Sequence, residues 1–479
     1  MDKFKGFRLV MLLALPLVFL SAFKSSTHSS SGRIEKQSNH PQKLAEWTIM
    51  IFMNGDNNLE PDAVTDFLEM AQIGSSEKVN IIVQMDLIGK YQNIGWTQTL
   101  RFRITKGMVP LPENAIKDIG EANMGDPDVL SDYTSWSMQQ FPAKKYALII
   151  WDHGQGYRFI AANAQLTSEA NSIVWSITKN KNLTTEKISP LNVHVVVGDP
   201  FRSTSQSPFK SCSNDETNND ELYNREIQNG LTKSLNGQKL DVLGFDACLM
   251  AMIETGYALR TVSANFIGSE DLEPGTGWQY NDWLKKLQAD PSMNGETLGK
   301  TLVKSYSATY GPFSAQTLSA TNLVGFENVA IKISAFANTL KSNLTTELNN
   351  IRAARKACAN YAPNPYYESP PKDYFFHVDF VRFCDQIIVR TQNTQLKNDA
   401  ASARSAVLST ILATYKGSLR AGSFGSNGLA IYFPESNSHY IGDVFEQGGY
   451  TKNNTFFPVE FVQKHTWADF LHSYFSMVP

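Results

Sequence analysis

Two apolar stretches of this 479-residue chain each end in a side chain able to do chemistry. Residues 239–256 read Lys-Leu-Asp-Val-Leu-Gly-Phe-Asp-Ala-Cys-Leu-Met-Ala-Met-Ile-Glu-Thr-Gly, a buried strand through Val242, Leu243 and Phe245 that breaks at Asp246-Ala247-Cys248. A helix with a single charge, Glu254, is expected to follow at once, placing Cys248 at the junction. There the carboxyl end of a strand offers a ligand site, and the partial positive charge of a helix N-terminus favours a thiolate nucleophile. The competing reading is a small apolar core residue, since free cysteine is among the most buried types. Residues 145–156, Lys-Tyr-Ala-Leu-Ile-Ile-Trp-Asp-His-Gly-Gln-Gly, form a second apolar strand ending in His153 within a glycine-rich turn. Side by side and parallel, the two strands would bring an imidazole to face a thiol.

The elements that must position this pair follow an alternating pattern. Residues 47–53 predict the first buried strand, with Asn54-Gly-Asp-Asn-Asn58 as the polar loop at its carboxyl end. A helix comes next, with Pro61 in its first turn, Val64, Phe67, Leu68 and Ala71 on one face, and Gly74 at its end. Residues 78–86 complete a βαβ unit, for which a right-handed crossover is expected. Residues 97–104 alternate like a strand with one wet face, and Asp126-Pro127 opens a helix stopped at Phe141-Pro142. The fold class is therefore α/β, an open and mostly parallel sheet with helices on both faces.

Between His153 and Cys248, residues 158–220 read as a polar insertion, containing Arg158, Lys179, Lys181, Lys187, Arg202 and Lys210, and a helix is expected from Glu221. Beyond Cys248, a short strand leads into the glycine-rich loop that carries Asp271 and Trp278. Helices are expected from Tyr280, over 295–310, over 329–340, near Ile351 and over 402–415; strands are expected over 316–323 and 428–434. Trp467, Phe470, Leu471 and Tyr474 mark a terminal amphipathic segment. A division into a core of residues 44–300 bearing both motifs and an α/β accessory region of 301–479 fits this order.

Lys3, Lys5 and Arg8 precede an apolar run from Leu9 to Leu20, so residues 1–22 have the form of an export signal and 23–43 that of a disordered lead-in. The run is shorter than the roughly 20 residues of a membrane span. The mature chain is expected to be exported, periplasmic or extracellular, with no membrane span. A net charge of −3 points to neither a nucleic-acid nor an anionic-membrane partner. Four cysteines are too few for a disulfide scaffold, and no pair has zinc-site spacing.

The Asn-Gly-Asp-Asn-Asn loop, Trp-Asp-His153-Gly-Gln-Gly, Phe-Asp-Ala-Cys248-Leu-Met-Ala and Gly-Leu-Ala-Ile-Tyr-Phe-Pro together resemble the clostripain family of cysteine peptidases, from Trp47 to the C-terminus. The resemblance implies a caspase-like sheet over 44–300 and an endopeptidase cutting after Arg or Lys, often once it has cut itself. It implies Cys248 as nucleophile and His153 as proton carrier, with the amides of Gly154 and Cys248 holding the oxyanion. Asp246, two positions before the nucleophile, would share its side-chain direction. The family pattern places an acid there in the pocket for a substrate cation; capping of the following helix is the other reading. Asp271 and Trp278 are candidates for further pocket walls, against loop solvation and core packing. No cofactor is required by the sequence. Some family members use calcium, for which Asp215 with Glu216, or Asp56 with Glu60, are candidate pairs. His194, His377, His439, His465 and His472 read as structural. A catalytically inactive binding protein on the same scaffold is the rival reading.

Overall fold

A computed structural model describes residues 44–91, 94–156, 212–358, 361, 377–419, 425–437, 440, 450–454 and 458–478. The signal segment, the lead-in and most of the insertion, with its basic residues, lie outside the described residues.

Strand β1 (Ala45–Gly55) lies next to the central strand of a nine-stranded sheet. It runs parallel to β2 (Val79–Leu87) on one side and to β5 (Ala143–Trp151) on the other. Parallel pairing continues from β5 to β8 (Val242–Asp246) and on to β9 (Asn265–Gly268). Antiparallel strands close both edges. Beyond β2 lie β3 (Leu100–Arg103) and β4 (Lys117–Asp118); beyond β9 lie β10 (Thr317–Asn322) and β12 (Ile411–Lys416).

Alternation along β1 decides which side chains meet which layer. Met50 and Phe52 join a core with Leu148, Ile150, Leu243 and Phe245, covered by α2 (Pro127–Gln140), α3 (Asn224–Leu235), α4 (Ile253–Leu259) and α7 (Phe326–Ser342). Trp47, Ile49, Ile51 and Met53 join a second core with Ala147, Ile149 and Val242, covered by α1 (Glu60–Ile73), α5 (Tyr280–Ala289) and α6 (Gly295–Tyr310). Buried on both faces, the central strands read as continuous apolar runs. The first core continues through α8 (Leu344–Lys356), α9 (Phe380–Arg390), α10 (Thr394–Leu408), α11 (Glu460–Lys464) and α12 (Trp467–Phe475).

Capping follows the sequence in several places. Asp126 accepts the N–H of Asp128 at the start of α2, where Pro127 takes the first turn, and Gly74 ends α1 at φ 73°.

Two expectations are corrected, at residues 411–415 and at the end of the polar insertion, and the expected strand before Pro434 lies in a separate sheet. Residues 411–415, expected to be helical, are the edge strand β12, because β10 offers it a free ladder. The apolar run ending at Pro434 contributes β13 (Ala430–Tyr432), which pairs with β11 (His377–Asp379) in a separate small sheet. The end of the polar insertion is a buried hairpin, β6 (Cys212–Asp215) with β7 (Asp220–Leu222). Cys212 bridges back to Gly154, so the hairpin packs against the loop that carries His153. Among the described residues, no helix is long and apolar enough to cross a membrane.

Candidate active site

Strands β5 and β8 are neighbours in register, with Trp151 opposite Asp246, so the segments carrying His153 and Cys248 leave the same edge of the sheet together. Contact between them is close. A Cβ added to Gly154 would lie 2.1 Å from the carbonyl oxygen of Cys248 and 2.8 Å from its nitrogen, distances that no side chain tolerates.

Cys248 is not at a helix N-terminus. Leu249 takes a left-handed backbone at φ 63°, and the helix, α4, starts only at Ile253. The N–H groups of Leu249 and Ala251 are drawn to the carbonyls of Asp271 (3.0 Å) and Ser269 (2.8 Å), which competes with helix formation. The thiol is therefore not at the N-terminus of the helix that follows it. Instead Sγ accepts the N–H of Glu273 at 3.2 Å and lies 3.6 Å from the carbonyl oxygen of the same residue. Burial pushes this thiol up to about 12, and the carboxyls of Glu273, Asp271 and Asp246 add to the rise.

His153 is buried beside Asn58, with Nε2 2.8 Å from the side-chain amide oxygen Oδ1 of Asn58. A carbonyl oxygen only accepts, so Nε2 carries the proton and Nδ1 the lone pair. Burial lowers the imidazole to about 4. Asp152 holds the turn. Its carboxylate accepts the N–H of His153 (2.6 Å), the side-chain amides of Asn57 (2.7 Å) and Asn54 (3.2 Å), and the N–H of Asn214 from β6. Asn54, Asn57 and Asn58 had no role assigned from sequence. Their signal was three amides grouped at the end of a buried strand, where polar side chains need a buried partner.

Asp246 is buried, and its Oδ2 accepts the N–H of Trp278 (3.1 Å) and the hydroxyl of Tyr280 (2.9 Å). It caps no helix. Burial raises its carboxyl to about 7. The structure gathers further acids around it: Asp66 and Glu273 are each raised well above the usual carboxylate range, first by burial and then by the charge of Asp246. Among the described residues Asp246 has no ion pair. Trp278 is buried as well, its indole N–H donating to Glu273 Oε2 at 3.0 Å. Its ring lies on β8, where a Cβ on Gly244 would come within 2.7 Å of the indole. Asp271 is buried; its Oδ1 accepts the N–H of Leu272 and its carbonyl that of Leu249. Asp66, Glu273 and Tyr280 were not singled out from sequence, because they approach Asp246 only through tertiary packing.

Of the residues considered for calcium, Glu60 accepts the N–H of Tyr91 and Glu216 pairs with Lys90. Asp56 and Asp215 instead form a group with Asp86 and Glu121, at the neighbouring carboxyl ends of β1 and β2.

The model of the clostripain family, Peptidase C11, matches residues 51–191 and 193–474. Clostripain from Hathewaya histolytica is 28% identical over 274 residues, which cover 53% of this chain and 44% of that protein, so the match spans less than half of the relative's length. A secreted C11 cysteine protease from Bacteroides thetaiotaomicron, solved with an irreversible peptide inhibitor, shares the fold with a TM-score of 0.51 at 17% identity, over 84% of this chain and 98% of that one. A second secreted C11 cysteine protease from the same organism, iotapain, shares the fold with a TM-score of 0.51 at 14% identity, covering 81% of this chain and 93% of that chain. With both sequence motifs on adjacent strand ends of the expected sheet, the chain belongs to the clostripain family of cysteine peptidases.

Proposed function

We propose that this chain is an exported endopeptidase that cleaves after Arg or Lys, with Cys248 as nucleophile and His153 as proton carrier. In the tautomer selected by Asn58, Nδ1 of His153 takes the thiol proton as Sγ attacks the scissile carbonyl. The N–H groups of Gly154 and Cys248 receive the oxyanion. The imidazolium then protonates the departing amine, and the thioester is hydrolysed by a water whose proton returns to His153.

The observation that carries the specificity is Asp246. A buried carboxylate two residues before the nucleophile, crowded by Asp66 and Glu273 and lacking any ion pair among the described residues, is unfavourable without a cation. A substrate guanidinium or ammonium supplies one, displacing or sharing the bonds from Tyr280 and Trp278. Asp271 and Trp278 shape the surrounding wall. Self-cleavage within residues 158–210 would fall outside the described residues.

Fluorogenic peptides ending in Arg, Lys, Leu or Asp test the reading. Turnover after Arg and Lys only, absent in Cys248→Ala, is expected. No turnover by intact or trypsin-nicked protein would instead favour an inactive binding protein.

A further inference from the structure

Residues 427–432 of the C-terminal region run alongside the loop that carries the nucleophile. The N–H of Ala430 donates to the carbonyl of Ala251 at 2.9 Å, and Met252 and Ala430 form a parallel bridge. Two residues further on, the N–H of Tyr432 reaches Glu254 Oε1 at 3.0 Å, at the start of α4. A second strip of chain, residues 269–273, holds the same loop. The carbonyls of Ser269 and Asp271 accept the N–H groups of Ala251 and Leu249, and the N–H of Glu273 reaches Sγ of Cys248.

Glu270 joins the two strips. It lies between Ser269 and Asp271, is 2% exposed, and turns its carboxyl toward the C-terminal region. There Oε2 accepts the N–H of Gly428 at 2.9 Å and Oε1 the hydroxyl of Tyr361 at 3.0 Å. The Gly428 peptide is fixed from its other end as well: Ser319 on β10 donates to its carbonyl at 2.6 Å, and its φ of 118° is a conformation that favours glycine. Asp379, the N-cap of α9, stands beside Glu270 and takes the preceding N–H, that of Asn427, on Oδ2 at 2.7 Å. Burial, with the charge of Asp379 adding to it, raises Glu270 well above the usual carboxylate range, so it rests as a neutral acid. For packing alone, an apolar side chain of similar volume would serve at least as well as a buried acid beside another acid.

We infer that Glu270 is a positioning residue for the nucleophile: it ties residues 269–273, which hold Cys248, Leu249 and Ala251, to residues 427–432, which hold Ala251 and Glu254, so that the C-terminal region completes the catalytic unit. The inference rests on the reading of Cys248 as nucleophile. The carboxyl of Glu270 bonds to Gly428 and Tyr361 rather than to Cys248 or His153, so it acts through the loop.

The test uses the full chain with single substitutions and two readouts. Alkylation of each cysteine by iodoacetamide, followed by mass spectrometry, reports on the loop without any peptide. The kcat and KM for an Arg peptide, per titrated Cys248 thiol, report on its alignment. Glu270→Ala is expected to speed alkylation of Cys248 at least about tenfold while leaving Cys212 unchanged. It should also lower kcat at least about tenfold with KM within about threefold, since misalignment of a reacting group is felt in kcat. Glu270→Gln keeps the shape, an acceptor and neutrality, and should restore both readouts to within about threefold of the native chain. Tyr361→Phe removes one hydroxyl from the same carboxyl; it should move both readouts the same way by about threefold, and carries the test if Glu270→Ala does not fold. The inference is overturned if Cys248 alkylation or kcat stays unchanged, or if Cys212 quickens in step with Cys248, as general loosening would require. It is equally overturned if Glu270→Gln does no better than Glu270→Ala. A native chain that cleaves no peptide would defeat the peptidase reading alone, and the alkylation comparison would still decide this one.

Discussion

Cys248 and His153 rest as a neutral thiol and a neutral imidazole, since burial raises the first to about 12 and lowers the second to about 4. A buried, protonated thiol reacts slowly with electrophiles. Iodoacetamide near neutral pH should therefore label Cys248 much more slowly than a free cysteine peptide, as followed by mass spectrometry; labelling at the peptide's rate would contradict this resting state. Asp246→Asn keeps the shape of the pocket and removes its charge. Loss of a buried, hydrogen-bonded charge partner costs about 2–5 kcal/mol, roughly 30- to 5,000-fold in kcat/KM at 1.36 kcal/mol per decade. That loss should be confined to Arg and Lys substrates, and an equal fall for every peptide would remove Asp246 from specificity.

At the scale of elements, the His153 turn depends on Asp152, where the end of β5, the loop after β1 and the hairpin strand β6 meet. Asp152→Ala strands the buried donors of His153, Asn57, Asn54 and Asn214, each at about 1–3 kcal/mol. A denaturant-unfolding loss of at least about 3 kcal/mol is expected, with Asp152→Asn losing less; an unchanged midpoint would mean the turn is held by something else. Gly154→Ala meets backbone atoms of Cys248, which cannot rotate away. That variant should misfold, or fold with its turn displaced and activity lost.

Across the whole molecule, several acids among the described residues are buried with no ion pair to a described cation. Asp246 and Glu254 are each raised to about 7, and Asp66 well above its ordinary value, in every case first by burial. A carboxyl with a raised folded pKa stabilises the fold fully below its unfolded value, near 4, and loses that contribution as pH rises through about 7. His153 acts oppositely, its contribution present above 6.5 and lost as pH falls towards about 4. The acids outnumber it. The Tm of chelator-treated Cys248→Ala protein should thus fall between about pH 5 and pH 7.5, and Asp246→Asn should flatten the decline. A Tm that rises over that interval would contradict the buried protonated acids.

Local pattern and chemistry determined much of this by themselves. The apolar runs within β1, β5 and β8 are satisfied inside a parallel sheet covered on both faces, which set the fold class and put His153 and Cys248 at strand ends. Capping residues such as Asp126 and Gly74 act within one turn, so their effect is readable from neighbours in the chain. Tertiary structure decided what depends on distant partners. The carbonyls of Ser269 and Asp271 compete for N–H groups that a helix after Cys248 would have used. A free ladder on β10 turned residues 411–415 into strand, and the bridge to Gly154 buried a hairpin whose composition reads as solvated loop. The company of Asp246, and the convergence of Asp56, Asp86, Glu121 and Asp215, arise from separate segments, and no local spacing encodes which carboxylates will share a space.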